Sequence, residues 1–391
     1  MPEITIWNFI LLAEIAFGFI LLLFLLKVST KLNWYFPLAI YVLLVMIDCY
    51  SEFLFHTGYI TNTPHLLYAS EPFNLLAGPM IYLYARSQEY QRFKLIKTDF
   101  LLLIPSIISL LVYLPTYTMS AADKILEYQH YGTLETDIEN FVWEWIFLVS
   151  INVTFFAGAL QRFKNYNEKI KALYSNIRNA DLRITQTLIR LCIVIYTLEL
   201  VAVFLTYYEL PFNRELYHLY DIVQLIVLVL IGYDALTTYK HSATIKQEWQ
   251  RIHLEDGQNI NQPIKYASST LTRKQSAALK EKLEAYMDKH EVYLQSQIRI
   301  KDLADLTGIS SHQISQVLNE SFNQNFYEFI NTYRVKKAIA LIQDPQNSSL
   351  TLSAIGYEAG FNSKTTFYEA FKKATGTTPA QYKSNHNISN T

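Results

Sequence analysis

Two sets of polar side chains recur at helical spacing in the last quarter of the chain. His312, Gln313, Gln316 and Asn319 form one, and Lys364, Thr365, Tyr368 and Lys372 form the other. Positions three and four apart share a helix face. The faces opposite are apolar: Ile314, Val317 and Leu318 in the first set, Phe367, Ala370 and Phe371 in the second. Glutamine and asparagine pair with adenine, lysine with guanine or phosphate, and threonine with the thymine methyl. A helix with a polar face behind a core stripe is therefore fitted to a DNA major groove. Taken singly, each of these residues is equally well explained as part of a solvated helix face. Arg334, Lys336 and Lys337, between the two sets, suit phosphates, and a solvated face accounts for them as well.

A second chemistry lies upstream. Asp48, Glu52, Glu71, Glu144, Glu199 and Asp221 interrupt apolar runs, where a charge costs about 2.5–3.5 kcal/mol near a bilayer centre. Such residues often line a ligand or ion path. Asp48, Glu52 and Glu71 are the candidate membrane ligand site, whereas Glu144 and Asp221 lie close to the ends of their runs. No His or Cys cluster accompanies them, so no metal centre is expected, and the scattered His241, His253 and His290 read as surface residues. The two cysteines, Cys49 and Cys192, lie in apolar runs and supply neither a disulfide framework nor a thiolate site. No phosphate-cradling glycine loop, GxSxG, HExxH or kinase motif set is present. The expectation is a non-enzyme with no catalytic residues and no cofactor.

The polar sets need elements to hold them. LADLTGISSHQISQVLNESF (303–322) and LSAIGYEAGFNSKTTFYEAFKK (352–373) each read as helix, turn, helix. Leu303, Ala304 and Leu306 precede the turn at Gly308; Ile355 and Ala359 precede Gly360. The predicted helix-turn-helix motifs span 300–321 and 352–373, and two within one helical segment are a stronger signal than one. A helix from about Phe326 to Ile342 separates them, and at ~1.5 Å per residue it spans ~25 Å. Two recognition helices on such a spacer suit successive major grooves, which repeat at ~34 Å. An amphipathic helix over Leu271–Lys289 opens the segment, and Thr378-Pro379 starts a last one. No β-type alternation competes, and the fold class is all-α.

The rest of the chain is far more apolar. Of 391 residues, 51% are hydrophobic, 15% aromatic and only 17% charged, against roughly 25% charged in soluble domains. Seven apolar runs approach the ~20 residues of a bilayer-spanning helix. They are Trp7 to Leu26, Trp34 to Phe55, Leu66 to Ala85, Phe100 to Tyr117, Phe141 to Leu160, Leu188 to Tyr208 and Leu216 to Leu236. The third is the weakest, with Glu71, Pro72, Asn74 and Pro79. The first ends at Lys27 and has no basic residue ahead of it, which reads as an anchor and not a cleaved signal. Loops after the first, third and fifth runs hold Lys27, Lys31, Arg86, Arg92, Lys94, Lys97, Arg162, Lys164, Lys169, Lys171, Arg178 and Arg183, and alternate loops only Lys124 and Arg214. This positive-inside bias puts the N-terminus outside and the C-terminal third in the cytoplasm. The acidic stretch 118–140 would be the main external loop.

The predicted organisation is a seven-helix membrane sensor over 1–239, a linker over 240–270 and a DNA-binding domain over 271–391. The last resembles the DNA-binding domain of the AraC/XylS family of bacterial transcription regulators. LADLTGISSHQISQVLNE, FYEFINTYRVKKAIALI and AGFNSKTTFYEAFKKATGTTPAQYK carry the resemblance, which covers roughly 271–384. It implies DNA contact through the third and sixth helices of the domain, hence through the outward residues named above. One departure is Gly356, where the family usually has alanine, at ~1 kcal/mol of helix propensity. The family's usual partner is a soluble β-rich sensor; seven predicted membrane spans stand here instead.

The expected partners are double-stranded DNA, the lipid bilayer and an unidentified ligand or signal, with the chain placed in a bacterial inner membrane. Residues 271–384 hold fourteen Lys and Arg against eleven Asp and Glu. That modest excess leaves DNA affinity dependent on homodimer formation or on the signalling state. Two other classes stay open: a transporter or intramembrane enzyme with a regulatory tail, and a membrane scaffold whose tail binds protein. The charge alternation yields a first prediction. A reporter fused after Tyr239 will be active only as a cytoplasmic fusion, and periplasmic activity would contradict the orientation.

Overall fold

A computed structural model of the protein describes residues 6–90, 92–130, 135–175, 183–208, 213–240 and 271–389. Of the linker expected over 240–270, all but Lys240 lies outside them. The chain divides into two compact units, 1–164 with 182–255, and 165–181 with 256–391. Among the described residues no strand forms, and the only bridge joins Tyr174 to Arg299.

Unit 1 begins with α1 (Ile6–Ser29) and α2 (Phe36–His56) and ends with α9 (Arg183–Tyr207) and α10 (Asn213–Lys240). Helix α8 (Glu135–Leu173) starts in this unit and continues past its boundary at Lys164. Five helices among the described residues, Ile6–Ser29, Asn33–His56, Trp145–Leu173, Ile184–Leu205 and His218–Lys240, are long and apolar enough to cross a membrane. Side chains such as Leu25, Tyr35, Val42, Phe156, Val227 and Ile231 close its core.

The third and fourth apolar runs do not form continuous spans. The third becomes a 3-10 turn at Pro64–Leu66, α3 (Glu71–Asn74) and α4 (Ala77–Glu89). The fourth becomes a 3-10 stretch at Lys97–Leu103, α5 (Ile104–Val112) and α6 (Leu114–Thr118), followed by α7 (Ala121–His130). Pro72, Pro105 and Pro115 each stand in the first turn of one of these short helices. Proline is tolerated there and disruptive in a helix interior, so each one starts a helix anew. The broken segments are still fastened. Gly78 donates its N–H to Asn152 Oδ1 (2.6 Å), and Asn152 Nδ2 donates to the Asn74 carbonyl (3.2 Å). Phe100, Leu101, Ile107, Leu111 and Val112 are all exposed, an apolar exterior suited to hydrocarbon.

Unit 2 contains the end of α8 together with α11 (Arg273–His290), α12 (Ile300–Thr307), α13 (Ser311–Ser321), α14 (Phe326–Gln343), α15 (Leu352–Glu358), α16 (Lys364–Thr375) and α17 (Pro379–Ser389). It has two cores, and α14 runs through both. Phe326, Phe329 and Ile330 join Leu283, Leu303, Ile314 and Val317 in the first, and Leu173 packs against that same core. Val335, Ala338 and Ile342 join Ile355, Phe361, Phe367 and Phe371 in the second. The helix starts are set locally. Thr272 with Gln275, Ser310 with Gln313, and Asn325 with Glu328 form capping boxes, and Thr351 and Ser363 cap α15 and α16.

Two glycines of the second motif answer to packing. A Cβ on Gly360 (φ +90°) would lie 2.6 Å from the Tyr293 carbonyl and 2.8 Å from Leu294 Cα, whereas one on Gly308 (φ +67°) would meet nothing within 4 Å. Gly356 is the family departure, and its absent Cβ makes room for Phe367, whose Cδ1 would stand 2.8 Å away and Cγ 3.0 Å away. The glycine therefore tightens the second motif. Gly356→Ala will lower stability by about 1–3 kcal/mol in urea unfolding of the full chain in detergent, despite its better helix propensity. An increase in stability would contradict this packing.

Candidate nucleic-acid interface and the carboxylates of unit 1

Helix α13 is the second helix of the first motif. His312 and Gln313 sit half-buried on its first turn, and Asn319 is exposed near its end. Gln313 also serves the cap, its Oε1 accepting from the Ser310 hydroxyl at 3.0 Å. Gln316 is placed less openly than its spacing suggests: it is 8% exposed and donates through Nε2 to Glu320 at 2.9 Å. On α16, Lys364, Thr365 and Lys372 are exposed and Tyr368 is half-buried. Lys364, Tyr368 and Lys372 follow one another at four-residue intervals along one ridge, with Lys364 Nζ 5.4 Å from the centre of the Tyr368 ring. Lys373, beside this ridge, pairs with Glu328 at 2.6 Å.

The three basic residues of α14 differ sharply. Lys336 is exposed, with Nζ 5.2 Å from the centre of the Tyr333 ring. Lys337 pairs with Glu291 at 2.8 Å, and that hydrogen bond holds the Glu291 carboxyl below its usual range. Arg334 is 1% exposed, the largest fully buried side chain in the described residues. Its Nε donates to the Tyr293 carbonyl (2.8 Å) and its Nη2 to the Gln295 carbonyl (2.9 Å). The same guanidinium reaches the Ser175 carbonyl (3.4 Å), Ser175 Oγ (3.3 Å) and Asn331 Oδ1 (3.4 Å). Burial pushes its pKa down to about 10, which leaves it charged at neutral pH. Arg334 thus serves the interior and is withdrawn from the phosphate-facing set; the polar environment of a helix with two cores, not DNA, explains it.

Ser175 stands just past the end of α8, and it too is buried. It donates both its N–H (3.2 Å) and its hydroxyl (2.6 Å) to the Ile298 carbonyl. The carbonyls of residues 293, 295 and 298 therefore all receive donors from Arg334 or Ser175.

In unit 1 the candidate ligand residues converge. Asp48 Oδ1 accepts from Asn74 Nδ2 at 2.8 Å and Oδ2 from the Tyr220 hydroxyl at 3.5 Å. Glu52 lies one turn further along α2, and Glu71 opens α3. Asp221 and Glu199, the lesser candidates by sequence, are more buried than either. Glu14 is the residue that sequence reasoning passed over. It is 1% exposed and its Oε2 accepts from Cys49 Sγ at 3.2 Å. The signal was available, since Glu14 is the single charge in the run Trp7 to Leu26. Among the described residues no group of three or more His, Cys, Asp or Glu is placed to hold a metal ion.

The contrast within α14 is testable by urea unfolding. Arg334→Ala leaves three backbone carbonyls and a serine short of donors and will cost at least about 3 kcal/mol. Lys336→Ala will change stability by less than about 0.5 kcal/mol. Equal effects would contradict the buried placement.

Comparison with known proteins locates the second unit. Residues 303–385 match the model of a helix-turn-helix domain family. A protein of Staphylococcus aureus named as an uncharacterised HTH-type transcriptional regulator is 26% identical over 147 residues, which make up 38% of this chain and 19% of that protein. A Bacillus subtilis protein named in the same way is 27% identical over 86 residues, 22% of this chain and 28% of its own length. The match thus spans less than a third of either relative. A solved structure of a Listeria innocua protein of unknown function is 26% identical, covering 28% of this chain and 97% of that one, with a TM-score of 0.24. With two capped helix-turn-helix motifs on one spacer and the family match across both, the C-terminal segment of this chain is a helix-turn-helix domain of the AraC type.

Proposed function

We propose that the protein is a membrane-integrated one-component transcription regulator. It binds specific DNA through α13 and α16 under control of a sensor in unit 1. The observation that carries this reading is the pair of helix-turn-helix motifs on the shared spacer α14, each ending in a helix that carries polar side chains at groove-reading spacing opposite its core stripe. The names of the related proteins support it. His312, Gln313 and Asn319 are proposed to read bases from the first motif, and Lys364, Thr365, Tyr368 and Lys372 from the second; Gln316, buried and bonded to Glu320, is withdrawn from the first set. Lys336 and Lys337 are proposed for phosphates, Lys337 by exchanging Glu291 for DNA.

The five long helices and the exposed apolar side chains of α5 support insertion in a bilayer. We count the interrupted segments 64–89 and 97–118 as two further crossings. Arg86, Arg92, Lys94 and Lys97 lie between them, and with only five crossings this basic loop would face outside. Broken helices are tolerated at membrane depth where protein groups satisfy the freed backbone, as Asn152 does for Gly78. On this count of seven crossings with the basic loops inside, the DNA-binding domain is proposed to lie in the cytoplasm.

The signal has a physical route. Helix α8 is one of the long apolar helices, and its last residues belong to unit 2. There Leu173 packs on the first core and Ser175 hydrogen-bonds to Arg334 and Ile298. A ligand shifts the regulator only by binding one arrangement better than another, and a change at this end of α8 would bear on the junction between the two motifs. Pairing of two copies would add the affinity that a modest basic excess withholds.

Selection from random duplexes by the full chain in lipid nanodiscs tests the function. A preferred sequence will emerge, and Gln313→Ala and Lys364→Ala will each weaken it by about 1–3 kcal/mol with specificity lost at separate base positions. No preferred sequence at low salt would overturn the reading.

A further inference from the structure

Four carboxylates of unit 1, from four helices, lie together in one acidic layer. Cys49 Sγ donates to Glu14 Oε2 at 3.2 Å and follows Asp48 in the chain; the hydroxyl of Tyr220, the residue before Asp221, reaches Asp48 Oδ2 at 3.5 Å. Trp7 of α1 stacks on His218 of α10 at 3.6 Å, so α1, α2 and α10 adjoin one another here. Glu199 of α9 has Asp48 as its strongest charged neighbour. Glu52 adds a fifth carboxyl one turn away.

Among the described residues the strongest charged neighbours of this layer's acids are other carboxylates. The strongest charged neighbours of Glu14 are Asp221 and Asp48; those of Glu52 are Asp48, Asp221, Glu199 and Glu14; those of Glu199 are Asp48 and Glu71. Glu14 supplies an independent sign of a missing partner. Its side chain is almost wholly buried, its Oε2 accepts from Cys49 beside Asp48, and its Oε1 has no hydrogen-bond partner. A buried acceptor without a donor is costly, and buried carboxylates without a counter-charge are costlier still.

We propose that this layer is a binding site for an organic ammonium cation, an alkyl- or arylalkylamine, with Glu14 Oε1 accepting from the ammonium and Asp48, Glu199 and Asp221 supplying the counter-charge. The acids come from four helices and are not gathered as metal ligands among the described residues, so a spread-out charge suits them better than a chelated ion. Tyr196 and Tyr220 bring aromatic rings to the same layer, Tyr196 packing on Phe156 at 5.4 Å. Aromatic faces beside carboxylates favour ammonium groups by cation–π attraction. This site rests on the reading of unit 1 as the sensor and gives that sensor a ligand class. A cation bound between four helices would bind one arrangement of them better than others, which is what a signal requires.

The test is isothermal titration of the full chain in phosphatidylcholine nanodiscs, in sodium chloride buffer, with phenethylamine, hexylamine, choline and spermidine. At least one will bind saturably, one per chain. Glu14→Gln, Asp48→Asn, Glu199→Gln and Asp221→Asn will each weaken it tenfold or more, and four variants keep the test intact if one misfolds. Asp234→Asn, on the same helix as Asp221 but held by Tyr35 and Tyr84 at 2.8 and 3.2 Å, will leave it within twofold. No saturable binding of any of the four amines overturns the site and leaves protons as the neutralising charge. A loss below tenfold in every folded variant overturns it too. Duplex selection on the same nanodiscs without amine is scored separately, so a missing cation site and a missing DNA function give different results.

Discussion

A single buried guanidinium sets the geometry of the DNA-binding unit. Arg334 sits where α14 passes from one core to the other, and its five hydrogen bonds gather the 293–295 turn, Asn331 and Ser175 around one point. Its face also lies 5.8 Å from the Phe361 ring of the second motif. Every acceptor is neutral, so the charge is stabilised by carbonyl dipoles and not by a carboxylate. Directional, fully used donors of this kind specify one arrangement in a way that apolar packing alone does not. Gly360 approaches the same turn so closely that a Cβ would stand 2.6 Å from the Tyr293 carbonyl. The relation between the two motifs is thereby fixed by backbone contact as well as by a charge.

Most of this unit was legible in the sequence, because its signals are local. Ser310, Asn325, Thr351 and Ser363 announce helix starts, Gly308 and Gly360 announce turns, and the apolar stripes of α13 and α16 point to their cores. What spacing could not reveal was which polar residue the tertiary fold would use up. Arg334 and Lys336 are two residues apart and alike in chemistry, yet one is buried and the other exposed. Gln316 had the spacing of a groove reader and lies mostly inside. Gly356 looked like a weak point of helix propensity; only the position of Phe367 shows why a side chain does not fit.

In unit 1 the legible part was apolar length. Hydropathy found seven runs, and five are continuous helices. The other two carry prolines whose effect depends on where each helix starts, which a window average does not resolve. Acids were found by their cost in apolar surroundings, but which of them meet was not, since that depends on how the helices pack. Tyr220 beside Asp221 reaches Asp48, and Cys49 brings Glu14 to the same place. The long helix α8 links the two kinds of chemistry by chain continuity, from an apolar segment to Ser175.

The central claim is that both motifs read one duplex. Hydroxyl-radical and methylation-protection footprinting of the full chain on its selected duplex tests this most directly. The account predicts two protected major-groove patches on one face of the DNA, about one helical turn apart, with Gln313→Ala clearing one and Lys364→Ala the other. A single patch lost in both variants, or protection without any groove preference, would contradict it.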